Sequence, residues 1–270
     1  MRLSANAVIG AGLVGLLALT ALVATVWTPY DPLALSLTQR LRPPSALHWL
    51  GTDEFGRDVL SRLMAGAAAG ASIALMAVTV AVTGGLGIGL VAGFLRGWTD
   101  RVLMGINDAL LAFPGVLLAL GLTVVMGSGK EGVVLALGCA YTPSVARIVR
   151  GTVLSIRERE FIEAARLCGT PEWRILTSHV MPNALAPVIV LATSMFGWVL
   201  LAESALSFLG LGLPPPAPSW GNMLAASRPY LASASWLGIL PGLCIALTLL
   251  GVNLLGDGLR DRLDPRMVRA

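Results

Sequence analysis

LMAGAAAGASIALMAVTVAVTGGLGIGLVAGFL, from Leu63 to Leu95, is a run of 33 residues without a single Asp, Glu, Lys or Arg. A helix rising ~1.5 Å per residue crosses a ~30 Å hydrocarbon layer in about 20 apolar residues, so this run alone is long enough to span a bilayer. Reading outward, five further charge-poor gaps run from Leu3 to Tyr30, Val102 to Gly129 (interrupted only by Asp108), Gly132 to Ala146, Ile175 to Ala202 and Pro229 to Gly256. The run from Leu63 to Leu95 is too long for one crossing and the gap from Gly132 to Ala146 too short, so span boundaries shift by several residues. The whole chain agrees with the run. Its 270 residues are 56% hydrophobic and 13% charged, whereas a soluble domain carries about 25% charge. The mean hydropathy is +0.79. Thirty-one glycines and 6% aromatic residues fit tightly packed transmembrane helices rather than the short alternating strands of a β-barrel. The expectation is an all-α polytopic membrane protein with six transmembrane helices.

In domain terms this predicts an N-terminal anchor helix over 1–30, an extracytoplasmic loop over 31–62, a five-helix core over 63–256 with a cytoplasmic loop at 147–182, and a tail over 257–270. The apolar stretch from Ala7 to Trp27 exceeds the ~7 to 15 residues of a signal-peptide core, so it reads as a retained anchor. With six spans both ends share a side. The N-terminus, the 96–101 turn, the 147–174 loop and the tail hold 13 of the 19 Lys and Arg, against 6 in the opposite loops. The positive-inside rule therefore places both termini in the cytoplasm of a multi-pass inner-membrane protein. The arginines are scattered over separate loops, which argues against a nucleic-acid partner.

Catalytic and metal chemistry find no support in the sequence. Cys139 and Cys244 fall in expected spans and Cys168 in a cytoplasmic loop, without metal or redox spacing. His48 and His179 fall on opposite sides of the membrane, cannot share a metal, and read as surface or interface residues. A phosphate-cradling P-loop needs its glycine six residues before the lysine and a hydroxyl residue after it; around Lys130, the one lysine, those places hold Val124 and Glu131. No Ser/His/Asp or Cys/His set assembles at one depth. The chain is therefore expected to be a non-enzyme that binds no ATP, Mg²⁺ or other cofactor itself.

The most informative polar stretch is RERE-FIEAARLCGTPEWRILTSHVMPN, Arg157 to Asn183. It reads as two short helices with a stop between them. Ala164, Ala165, Arg166 and Leu167 favour helix, Gly169 suits a left-handed C-terminal cap, Thr170 is placed to N-cap the next helix, and Pro171 fits its first turn beside Glu172. Phe161, Ile162 and Ala165 share one face by spacing and form a small apolar ridge. Such a ridge is either a docking surface or an amphipathic helix lying on lipid headgroups.

Glu163-Ala164-Ala165, three residues, Gly169, then His179-Val180-Met181-Pro182 resembles the EAA loop of permease subunits in binding-protein-dependent ATP-binding cassette (ABC) importers. His179 and Met181 stand where Ile and Leu are commoner, and His before a hydrophobic-X-Pro-Asn run is typical of the dipeptide, oligopeptide and nickel branch. Four more blocks resemble the second permease of that branch: His48 to Asp58, Glu203 to Gly212, Pro218 to Gly221 and Asn253 to Arg266. The resemblance implies the type I ABC importer permease fold. It implies that Phe161, Ile162, Glu163, Ala164, Ala165, Gly169, Thr170, Pro171, Glu172, Trp173, His179 and Pro182 meet an ATPase subunit. It also implies a second, homologous permease completing a heterodimer, ATPase subunits that bind the ATP and Mg²⁺, and an extracytoplasmic substrate-binding protein. Short peptides are the expected cargo, with nickel or a metal chelate as the alternative. From the residues alone, Glu163 has a plainer reading as a salt-bridge partner of Arg159 or Arg166.

The remaining signals are weaker. Gly66, Gly70, Gly85, Gly89 and Gly93 form GxxxG steps expected to pack helices closely. Pro114, Pro143, Pro187 and Pro241 fall inside expected spans as kinks or hinges. Asp108 and Glu203 are acids within or beside spans, read as structural pairs, Asp108 with a cytoplasmic arginine, or as contacts on a substrate or proton path. That path would make the chain an ion-coupled secondary transporter, the rival class. A scaffold without a pore is a third reading. Outside, Asp53–Arg57 and Asp58–Arg62 at i, i+4 predict an interfacial helix leading into the second span. Trp220 and Tyr230 are expected at the headgroup level.

Overall fold

The computed structural model describes residues 5–263, with side chains to Arg260. Arg2 and Leu3 at one end, and Asp264, Pro265 and Arg266 of the last matching block, lie outside the described residues. The α-helices of the described residues are α1 (Ala5–Ala24), α2 (Val59–Leu95), α3 (Gly97–Leu111), α4 (Gly115–Met126), α5 (Lys130–Arg157), α6 (Glu160–Leu167), α7 (Glu172–Ile175), α8 (Met181–Phe208), α9 (Trp220–Ser227) and α10 (Trp236–Leu263). Five helices are long and apolar enough to cross a membrane, counting α7 to α8 as one, and α3 with α4 makes a sixth if that pair is one span.

The two largest helix contacts of the bundle are α2 on α5 and α1 on α10. Gly85, Gly89 and Gly93 of α2 lie against Val145, Val149 and Val153 of α5. A Cβ at those glycines would come within 2.4, 2.6 and 2.9 Å of a valine side chain, so the small-residue steps serve helix packing. Gly66 admits the Trp220 indole in the same way. Helix α1 runs antiparallel to α10: Gly10 abuts Leu255 and Gly251, and Ala7 abuts Gly258. The two ends of the described chain therefore lie side by side at one end of the bundle.

The span expected from Val102 to Gly129 is not one helix. It breaks between Ala112 and Pro114, and α3 and α4 meet at 96°. Pro114 has no N–H to donate and disfavours helix at Phe113, so α3 stops and Pro114 takes the N-cap of α4. Pro143, Pro187 and Pro241, by contrast, sit inside α5, α8 and α10. The short gap from Gly132 to Ala146 belongs to a 28-residue helix. Charges that seemed to end it are matched sideways. Arg147 pairs with Asp108 at 2.6 Å, Arg150 holds Asp100 through two bonds of 2.5 and 2.7 Å, and Arg157 donates to the Phe94 carbonyl. The structural pairing expected for Asp108 is thus present. Glu203 is buried, and its partners are the hydroxyls of Ser207 (2.7 Å) and Ser204 rather than a cation.

In the loop between α1 and α2 the expected interfacial helix over 53–62 is absent. Residues 51–58 fold back on themselves, with a bridge between Thr52 and Asp58, and helix begins only at Val59. Asp53 explains why: its Oδ1 accepts from the backbone N–H groups of Phe55 and Arg57, both at 2.9 Å, which fixes a turn. Its Oδ2 takes the Arg57 Nε–H at 2.6 Å and faces Arg62 Nε at 3.4 Å. The expected Asp58–Arg62 pair does not form. Asp58 instead N-caps α2 through Ser61 and meets His48 Nδ1 at 2.9 Å, while Arg62 also donates to the Pro32 carbonyl. His48, expected at a surface, is buried between Asp58 and Gln39. Burial pushes the neighbouring Glu54 carboxyl above its ordinary range. Trp220 is likewise buried, its Nε1–H donating to the Leu63 carbonyl at 3.0 Å, so it locks α9 onto α2 instead of sitting among headgroups.

Candidate functional site

At the opposite end, residues 157–183 build a compact elbow between α5 and α8. Arg159 takes the N-cap of α6, its carbonyl accepting from the Ile162 and Glu163 N–H groups. Glu160 and Glu163 in the first turn and Arg166 in the last suit the helix dipole. Gly169 then adopts φ +76°, with the Thr170 N–H bonded to Ala165 O at 3.1 Å and its own N–H to Arg166 O at 2.9 Å. That is a Schellman closure, which a residue with a Cβ adopts only under strain. A Cβ at Gly169 would meet nothing of this chain within 4 Å. The constraint inside the molecule is therefore the backbone angle, and the space beside it is open to a partner.

Thr170 does not cap the second helix. Its N–H is committed to Ala165 O, Pro171 occupies the N-cap position, and no side-chain cap bond forms. After α7 the chain runs through five π-helical residues, Leu176–Val180, before α8 begins with Pro182 in its first turn. The wide turn closes with Met181 N–H on Leu176 O, and the Asn183 amide takes the His179 carbonyl at 2.7 Å. Such π segments are uncommon and concentrate at functional places.

Three apolar side chains pin this elbow to the bundle: Ile162, Ile175 and Val180 are all fully buried. Two contacts join its halves. Arg166 donates to Glu172 at 2.8 Å, and the Phe161 ring meets His179 edge-on with centroids 6.4 Å apart. The expected ridge is thereby divided. Ile162 faces inward as an anchor, Ala165 is half-buried, and Phe161 remains 42% exposed. Glu163, Ala164, Pro171, Glu172 and Pro182 are exposed. Arg166 is engaged by Glu172, and Glu163 is in no ion pair among the described residues, contrary to its plainer reading.

The exposed apolar surface is completed by Trp173 at 64% and by Leu167 at 89%. Leu167 was not among the expected contact residues, because in sequence it counted only as a good helix former. Its position one turn after Glu163, just before the Gly169 cap, was the available signal. Behind the elbow, α5, α8 and α10 enclose an open cavity of about 960 Å³, lined by Ser155, Arg159, Asn183, Trp198, Asp257 and Arg260 among others. Asp257 and Arg260 come from the last turns of α10, so the elbow, the cavity mouth and both ends of the described chain share one end of the molecule. Asp108 and Glu203 lie away from the elbow, one on α3 and the other near the end of α8.

Residues 85–269 match the family model described as binding-protein-dependent transport system inner membrane component. The chain is 45% identical to a dipeptide transport system permease protein of Alkalihalophilus pseudofirmus, over 85% of this chain and 76% of that protein. It is 41% identical to a glutathione transport system permease protein of Pectobacterium atrosepticum, over 98% of this chain and 89% of the relative. Identity is also 41% to a di/tripeptide transport system permease protein of Pseudomonas aeruginosa, over 98% and 90%.

Proposed function

We propose, from the premise that this chain belongs to the family of binding-protein-dependent transport system inner membrane components, that it is one of two unlike permeases through which an ABC importer moves short peptides into the cytoplasm. The peptide cargo is supported by the relatives, which are named for dipeptide, di/tripeptide and glutathione transport. In this reading the chain forms half of the passage and performs no chemistry. ATP and Mg²⁺ belong to the ATPase subunits, a binding protein delivers cargo to the end bearing the 31–58 loop, and both termini lie in the cytoplasm with the elbow.

The observation that carries the proposal is the build of the elbow. Two short helices with exposed Phe161, Leu167 and Trp173 are anchored through Ile162, Ile175 and Val180 to the bundle core. A load applied to the exposed face by an ATPase groove reaches α5 and α8 through packed side chains, with no slack loop to absorb it. Closure of the ATPases then tilts α8 about the π-helical turn and changes which end of the passage is open.

Cys168, exposed at the C-cap of α6, supplies the test. In the assembled importer, with Cys139 and Cys244 replaced by alanine, a short thiol cross-linker at Cys168 is expected to capture an ATPase subunit. Uptake into proteoliposomes is expected to require ATP. Uptake that survives ATP depletion and collapses with the proton gradient assigns the chain to the ion-coupled class instead.

A further inference from the structure

One charged pair stands apart from the polar clusters at the two ends. Asp108 on α3 and Arg147 on α5 are joined at 2.6 Å, yet their side chains are 60% and 59% exposed. Arg147 lies ten residues before the end of α5 at Arg157, about 15 Å along the helix axis. α5 is one of the described helices long and apolar enough to cross a membrane. An open ion pair on such a helix is expensive against lipid tails and is found facing water or protein. The neighbouring pair contrasts with it. Arg150 grips Asp100 through two bonds, with side chains 32% and 17% exposed, and acts as a fixed strut between the same two helices.

Arg147 has capacity to spare. One of its five N–H donors is committed to Asp108, and the second Asp108 oxygen receives no bond from the described residues. On α5 the positions 147, 151 and 155 form one stripe at i, i+4 and i+8. Gly151 and Ser155 line the large cavity, together with Asn183, Ser194 and Trp198 of α8. Arg147 thus stands one turn before Gly151, next to the residues that line the cavity and toward the middle of α5.

We propose that Asp108 and Arg147 line the water-filled passage and exchange their bond to each other for the two ends of the cargo, Arg147 taking its carboxylate and Asp108 its ammonium group. A short peptide near pH 7 carries both charges, so the pair offers each end a partner of opposite sign. When the peptide leaves, the pair re-forms, and no bare charge remains in the passage at either stage. The inference rests on the peptide-importer reading.

The test uses the complete importer in liposomes with dialanine as the probe. Asp108→Asn and Arg147→Gln are each expected to lower ATP-driven uptake about ten-fold, the loss of roughly one charge-assisted hydrogen bond. Arg147→Lys is expected to retain more uptake than Arg147→Gln, and all variants to copurify with their partners. A second measurement does not depend on uptake. With Cys139, Cys168 and Cys244 replaced by alanine, a cysteine introduced at position 108 or 147 is expected to react with a charged, membrane-impermeant thiosulfonate, and dialanine to slow that reaction. Unchanged uptake in Asp108→Asn and Arg147→Gln, or cysteines reached only by a lipid-soluble maleimide, overturns the proposal. If the unaltered importer moves no dialanine while both cysteines react with the charged reagent, the peptide reading fails and the named cargo with it, though the pair is then placed in the passage.

Discussion

The two ends of this bundle are held by opposite means. The 31–62 loop is fastened by buried charge: Asp53, Arg57, Arg62 and the His48–Asp58 contact are all largely shielded from water. The 157–183 elbow is fastened by apolar plugs, with the ion pair Arg166–Glu172 left half in solvent. Buried polar contacts are satisfied in one geometry only, which fixes the loop in a single shape. Apolar packing joins the elbow to the bundle firmly while leaving its exposed face free for a partner. One end is built as a fixed rim, and the other is the end proposed to act as a lever.

The severest way to break this contrast is Gly169→Asp. It forces a side chain and a charge into the φ +76° position on the face proposed to meet the ATPase. The expected outcome is a membrane-inserted chain with ATP-dependent uptake abolished, measured in the reconstituted importer. Normal uptake by that variant removes the coupling role from this segment.

Next comes Arg57→Ala, which takes from buried Asp53 the cation held at 2.6 Å. Removing one partner of a buried pair costs about 3–5 kcal/mol, and thermal unfolding of the detergent-solubilised chain is expected to show it. Ile162→Ala tests the plug at the other end. Truncating a buried Ile costs about 2–5 kcal/mol, here concentrated on the elbow, so hydrogen exchange in 157–183 is expected to rise while the 31–58 loop stays protected. The smallest effect belongs to Arg166→Ala: an exposed pair contributes about 0–1 kcal/mol, and unfolding is expected to move barely at all. Loss of an arginine from an ion pair thus weighs heavily at the rim and little at the elbow. Equal effects from Arg57→Ala and Arg166→Ala would erase the distinction.

The sequence by itself determined the class. Charge-free runs such as Leu63 to Leu95 leave the chain no option but to span lipid, because each buried charge is costly and each backbone group must be bonded within a helix. The elbow was legible for the same kind of local reason, since the left-handed cap at Gly169, the helix start beside Pro171 and the glycine steps on α2 depend on neighbours in the chain. Tertiary structure alone decided the rest. Whether Ile162 or Phe161 faces outward depends on where the bundle core lies, and spacing within one helix does not fix that. Partner choice among several arginines and acids at the outer end depended on a fold-back over 51–58, which turned an i, i+4 pattern into a turn held by Asp53. The break at Ala112 to Pro114 was written in Pro114, but its 96° bend and the pairing of Asp108 with Arg147 needed α3 to lie against α5. Long-range packing sets such angles, and no single stretch of sequence contains them.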